Sequence, residues 1–319
     1  MTENKNNNNT LTRRDFLKLT GLYGFVTMGL KPMEKLVNLD SLHLHLDEPT
    51  INKYIKEDLH IKNQIDTPPS LMLHSAGEKQ ITKLAPILAE KYTSITYREF
   101  YALMAQDHDF STEKPPLLIS IDDPGTGWLN PAYKRMVDTM TKHGLVGTLA
   151  VVTTGEQKMV DPEIWKYFKE IQKSGWEIAI HTEDHLILPK LSDEETRYQI
   201  SECYNNIGEG TGIYPTTLIL PFGLVAAEDK LDQPTEYNPQ IFKVCKDLNI
   251  RFVVGIPYGK TFTGESPYFV GRIPPHKDDI TITLQWLEDS FVQDGSRKII
   301  SAKEYRKNQT LRDATIPVR

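Results

Sequence analysis

The stretch Leu117 to Gly125, L-L-I-S-I-D-D-P-G, decides how the rest of the chain is read: an apolar run stops on two adjacent carboxylates and a Pro-Gly turn. Side chains alternate faces along a strand, so Asp122 and Asp123 can serve one site only if the backbone bends between or just after them. Pro124 and Gly125 supply that bend. Working outward, a second strand-like run, Trp176 to Ile180, ends in H-T-E-D-H, which sets His181 and His185 four apart. A third, Thr216 to Leu220, ends in P-F-G at Pro221 to Gly223. Polar or turn clusters at the carboxyl ends of three strands, each strand followed by a helix-like segment, describe the working rim of an α/β sheet or barrel.

The flanking pattern supports this reading. Helical periodicity is expected over 80–92, 97–106, 131–143, 161–174, 192–208, 238–248 and 280–292, and strands over 71–74, 94–96, 147–153, 176–181, 216–221, 250–256 and 268–273. Strands alternating with helices of this length imply βαβ units, a parallel sheet and, with the polar residues all at one end, a complete or distorted (β/α) barrel. Neither an internal repeat nor a second domain is visible. Residues 71–319 are expected to form one domain, 36–70 an extended connector ending in Thr67-Pro68-Pro69, and 1–35 a targeting segment.

The chain has 319 residues, 39% of them hydrophobic and 25% charged, which suits one large soluble core. A formal net charge of -6 and a pI near 5.9, with no long basic run, give no footprint for nucleic acid. Cys203 and Cys245 are too few for a disulfide framework and are not spaced as a metal knuckle; two partly buried free thiols are expected. His43, His45 and His60 lack partners at ligand-like spacing and read as solvated or locally satisfied, as do His108 and His143 near helix ends.

At the N-terminus, T-R-R-D-F-L-K at Thr12 to Lys18 precedes an apolar run, Leu19 to Leu30, that is too short to span a bilayer. This closely resembles the twin-arginine translocation signal, in which paired arginines precede Phe-Leu-Lys. The resemblance implies engagement of the twin-arginine translocation machinery, export across the cytoplasmic membrane to the envelope or beyond, and no transmembrane span other than the signal segment.

Asp-Asp after one strand and His-x-x-x-His after another closely resemble the first two motifs of the polysaccharide deacetylases, the NodB-homology group of carbohydrate esterase family four. Ser120-Ile121-Asp122-Asp123 stands for T-F-D-D, and His181, Thr182 and His185 for H-[ST]-x-x-H. S-G-W-E-I-A-I-H at 174–181, L-M-L-H at 71–74 and I-T-Y-R-E-F at 95–100 extend the likeness over roughly 71–275. A zincin is excluded, because Thr182 stands where H-E-x-x-H needs Glu and the preceding residues are strand-like.

The resemblance implies a distorted (β/α) barrel of the NodB-homology type and a metal-dependent hydrolase. It would remove N-acetyl groups from N-acetylhexosamine units of an exported or envelope polysaccharide. Asp123, His181 and His185 would hold a divalent cation, zinc first, with cobalt, nickel or manganese also compatible with two nitrogens and one oxygen. Asp122 would be the general base, and the backbone N–H of Phe222, after Pro221, would meet the oxyanion. Pro124 replaces the family's Gly after Asp-Asp, and Ile219 stands where many members carry an Arg that orients the base. Arg272, in G-R-I-P-P, is the candidate substitute and is also placed among the substrate-binding residues with Pro221 and Trp128. Trp128 could stack on a sugar ring or simply pack. His276, the sole histidine after His185, is the candidate acid for the leaving amine or a solvated loop residue. Two other readings stay open: the same site acting on O-acetyl esters or a small cyclic amide, and a degenerate member that only binds glycan.

Overall fold

The computed structural model describes residues 46–56, 60–65, 67–74, 77–106, 114–122, 131–154, 162–225, 238–256, 262–265, 267–276 and 279–289. In chain order they form α1 (Glu48–Ile55), β1 (His60–Ile65), β2 (Ser70–Leu73), α2 (Glu78–Lys91), β3 (Thr93–Ile95), α3 (Tyr97–Ala105), β4 (Pro116–Ile121), α4 (Pro131–Lys142), β5 (Thr148–Val151) and α5 (Pro162–Lys173). There follow β6 (Glu177–Ile180), a 3-10 turn (Leu188–Lys190), α6 (Asp193–Thr211), β7 (Thr217–Leu224), α7 (Pro239–Asp247), β8 (Phe252–Ile256), β9 (Phe262–Glu265), β10 (Tyr268–Gly271) and α8 (Ile280–Asp289). The twin-arginine stretch lies outside the described residues. Among those described, no helix is long and apolar enough to cross a membrane.

The main sheet runs β10-β8-β7-β6-β5-β4-β2, every pair parallel. It almost closes: Ile273, just past β10, bridges Leu71 of β2, with Met72 N donating to Ile273 O at 2.8 Å and Ile273 N to Ser70 O at 2.7 Å. The distortion is at β4. Its upper residues, Leu118 to Ile121, pair with β2, whereas its lower ones, Pro116 to Leu118, pair with β3. The expected (β/α) barrel is therefore the observed fold, sealed at one seam by a single bridge.

Strand alternation separates two cores. Outward residues such as Leu117, Ile119, Ile121, Ile178, Ile180, Leu218 and Leu220 pack with helix residues Leu84, Met136, Phe168 and Ile200. Inward residues Leu118, Ala150, Ala179, Ile219, Val254 and Val270 form the second cluster. Both faces of β4 are thus covered, which explains why its sequence reads as one apolar run. The interior is plugged from the strands' N-terminal end by α3, whose Tyr97, Phe100 and Tyr101 rings stand 5.9 to 6.0 Å from Phe252.

The stretch expected to run extended, 36–70, holds α1 instead. Its Ile51 and Ile55 are buried in the interior cluster, and Arg251 donates from Nε and Nη2 to Ile55 O. β1 and β9 were not expected either; they pair antiparallel as a two-stranded sheet apart from the barrel. Both cysteines are free and buried, Cys203 in α6 and Cys245 in α7, as expected.

Candidate active site

β4 carries its inward alternation, Leu118 then Ser120, one step further to Asp122. Asp122 N donates to Leu73 O at 2.8 Å, so the parallel pairing continues past the strand and sets the carboxylate, 2% exposed, at the barrel's carboxyl mouth. Arg272 enters the same space from the end of β10, where Arg272 N donates to Gly255 O at 3.0 Å. Its Nη1 donates to Asp122 Oδ1 at 2.7 Å, to Oδ2 at 2.5 Å and to Ser120 Oγ at 2.9 Å. Both partners are buried, so the pair is little screened, and removing either one strands the other charge. One layer below, the hydroxyls of Ser70 and Tyr97 meet at 2.5 Å, and burial pushes the Tyr97 phenol up.

His181 continues the inward series of β6, after Glu177 and Ala179. Its Nδ1 lies 2.7 Å from Ile219 O; a carbonyl only accepts, so Nδ1 carries the proton and Nε2 keeps the lone pair. The residue standing where an Arg was sought thus orients a histidine through its backbone. The chain then passes through the left-handed region at Thr182 (φ 69°) and His185 (φ 58°), which folds His185 back until the two rings are 4.9 Å apart. Such backbone costs energy and persists only where surroundings hold it.

Here the surroundings do hold it. Glu183 is buried between Thr153 Oγ1 and Asn206 Nδ2, and burial raises its carboxyl. Asp184 N donates to Gln199 Oε1 at 2.9 Å, Gln199 Nε2 donates back to Asp184 Oδ2 at 2.7 Å, and Thr154 Oγ1 donates to Asp184. The two acids between the histidines therefore pin the loop to α6 and to the end of β5. Gln199 had no sequence signal; its spacing from Asp184 becomes meaningful only once α6 packs on β6.

Pro221 is buried, while Phe222 is 48% exposed at φ 57°, its ring 4.8 Å from His185. This corner is where the β7–β8 register shifts, between Ile219 and Leu224. Gly223 O comes so close to Gly255 that a Cβ there would sit 2.8 Å from it. His276 is half-buried after Pro275. Asp279 N donates to its Nδ1 at 3.1 Å, so in the neutral ring Nε2 carries the proton, and the ring meets Trp286 edge-on at 5.9 Å. Asp123, Pro124 and Trp128 lie outside the described residues.

Among the described residues no three His, Cys, Asp or Glu side chains gather as a metal-holding group. The donor chemistry nonetheless fits a cation: two adjacent imidazoles, one already locked by a backbone carbonyl into the tautomer that presents Nε2, follow β6, two strands along the sheet from β4, whose sequence leads into Asp123.

Residues 110–253 match the polysaccharide deacetylase family. The peptidoglycan-N-acetylglucosamine deacetylase PgdA of Listeria monocytogenes is 28% identical over 109 residues, which are 34% of this chain and only 22% of that protein. Among solved structures, the Streptococcus pyogenes deacetylase PplD in complex with acetate superposes with a TM-score of 0.52 at 16% identity, over 70% of this chain and 98% of that one. IcaB from Ammonifex degensii gives 0.50 at 15% identity, over 72% and 100%. At these identities the likeness establishes the fold.

Proposed function

We propose that the chain is a metal-dependent hydrolase that removes N-acetyl groups from N-acetylhexosamine units of an exported or cell-envelope polysaccharide. The observation that carries this reading is the buried Arg272–Asp122 pair at the same barrel mouth as His181 and His185. It gives a strand-end carboxylate the fixed aim that a general base requires, from a strand other than the one the family pattern uses.

His181, His185 and Asp123 would hold a divalent cation, zinc foremost, with cobalt, nickel or manganese as substitutes. When bound, it lowers the pKa of water and polarises the acetamide carbonyl. Asp122 takes the proton of the attacking water, and Arg272 and Ser120 keep its carboxylate from swinging away. The water oxygen bonds to the carbonyl carbon, and charge collecting on the former carbonyl oxygen meets the Phe222 N–H. When the C–N bond breaks, the amine leaves with a proton, for which the His276 Nε2–H is the donor this chain offers. Acetate and a free amino sugar result. Exposed Phe222 and the Trp128 segment would border the sugar.

The reading that the chain leaves the cytoplasm by the twin-arginine route rests on Arg13-Arg14 and Phe16-Leu17-Lys18. PgdA's printed substrate makes peptidoglycan the first polymer to try.

The test is acetate release from N- and O-acetylated glycans, including peptidoglycan, by protein reconstituted with zinc, cobalt or nickel, beside Asp122→Asn. Release from N-acetyl substrates only, dependent on metal and reduced about 10²- to 10⁴-fold by the substitution, is expected. Folded, metal-loaded protein releasing no acetate from any of them would overturn the proposal.

A further inference from the structure

A cavity of about 750 Å³ lies at the other end of the barrel from the histidines, where the strands begin. Its wall is made by the first turns of α1 and α3, the end of α5, the start of β6, and the segment from the end of α6 to Thr216. Its volume is in the range of small-molecule sites.

Three polar groups on this wall are buried and have no hydrogen-bond partner among the described residues: Arg98 Nε, Gln172 Oε1 and Thr216 Oγ1. Thr216 is 6% exposed. An unmade hydrogen bond at a buried group costs more than a made one returns, so three together are an unusual expense for a wall with no occupant.

Arg98 and the acids around them are already engaged. Arg98 gives Nη1 to Glu48 and Nη2 to Asn52 Oδ1 at 2.6 Å. Glu177 accepts from Thr217 Oγ1 at 2.6 Å, Thr148 Oγ1 at 3.0 Å and Arg98 N at 3.1 Å. Glu99 Oε1 accepts from Leu46 N, and Asp47 caps α1. The wall carries Lys169 and Lys173 beside those four acids, so its charge is mixed, and a fully deprotonated anion offers no hydrogen to Gln172 Oε1. A ligand that satisfies all three of these groups must present both hydrogen donors and oxygen acceptors, as a neutral polyhydroxy compound does. Tyr214, exposed on the same wall, offers aromatic surface for C–H faces.

We infer that this cavity binds a neutral polyhydroxy compound, one or two sugar rings in size, through Gln172, Thr216 and Arg98 Nε, with the Gln172 and Thr216 side chains turning toward it. The site is separate from the proposed catalytic one and does not depend on it.

Trp176 makes a local reporter, since its Nε1 donates to Thr141 Oγ1 and fixes the indole. Full-length protein is labelled with 5-fluorotryptophan, the Trp176 signal among the four tryptophans is assigned with Trp176→Phe, and cellobiose and inorganic phosphate are titrated separately. A saturable shift with cellobiose and none with phosphate is expected. Gln172→Leu and Thr216→Val each remove an unpartnered buried atom, so neither should unfold the chain, and each should weaken the binding about fivefold. A Trp176 signal that cellobiose leaves unmoved, a shift whose midpoint is the same in both variants, or a response to phosphate alone would overturn the inference.

Discussion

Arg272 reaches Asp122 across 150 positions of sequence, from the last barrel strand to the first of the motif strands. The pair is fully buried, so its worth is measured by breaking it. Arg272→Met leaves a buried carboxylate with no cation and should cost about 3 to 5 kcal/mol in urea unfolding. The double variant Asp122→Asn with Arg272→Met should recover much of that loss while remaining inactive. Equal unfolding midpoints for the native protein and Arg272→Met would contradict the pairing. At this scale the sequence was informative: Asp122, His181 and His185 stood out because strand-end carboxylates and a four-residue His spacing are local facts. Arg272 stood out less, as one basic residue after a strand, and only the family likeness suggested Asp122 as its partner.

The element that turns spacing into geometry is the loop from His181 to Leu188. Two positive φ values bring the rings together, and Glu183 and Asp184 fasten the turn to α6. That helix is itself well determined by sequence, opening on a Ser192–Glu195 capping box and closing on Gly212 at φ 84°. Gln199→Leu keeps the side-chain volume near α6 but removes both bonds to Asp184. Cobalt affinity, followed by absorbance, should fall about tenfold or more, with little change in helix content. Unaltered cobalt affinity would mean that the loop holds its shape without α6. Among elements, those with a clear apolar period were legible to within a few residues. β1 and β9 were not, because H-I-K-N-Q-I and F-T-G-E carry no alternation strong enough to declare a strand, and they form only by pairing with each other. α1 was hidden for a similar reason, with Ile51 and Ile55 its only buried residues.

For the molecule as a whole, the two ends of the barrel do different things with buried charge. At the carboxyl end Asp122 has a guanidinium. At the amino end Glu177 has hydroxyls from β5 and β7 and the backbone N–H of Arg98, tying three strands to α3, and burial raises its carboxyl above the usual value of 4.5. The folded chain therefore holds that proton more tightly than the unfolded one. The stability this gives is present in full below about pH 4.5 and is lost as pH rises through the folded value. Glu177→Gln, which cannot ionise, should show a smaller fall in urea midpoint between pH 4.5 and 8 than the native chain. Parallel pH profiles for the two proteins would refute the assignment.

By itself the sequence determined the barrel and the end of it at which Asp122, His181, His185 and Phe222 stand. Apolar runs of strand length alternate with amphipathic helices, and the residues that break those runs all fall at one end; both are properties of neighbouring residues. Only the tertiary structure decided which strand supplies the cation for Asp122, which helix pins the histidine loop, and that α1 and α3 plug the interior beside the cavity at the strands' N-terminal end. Those outcomes depend on strand order and barrel closure, which bring together side chains that nothing in the local pattern relates.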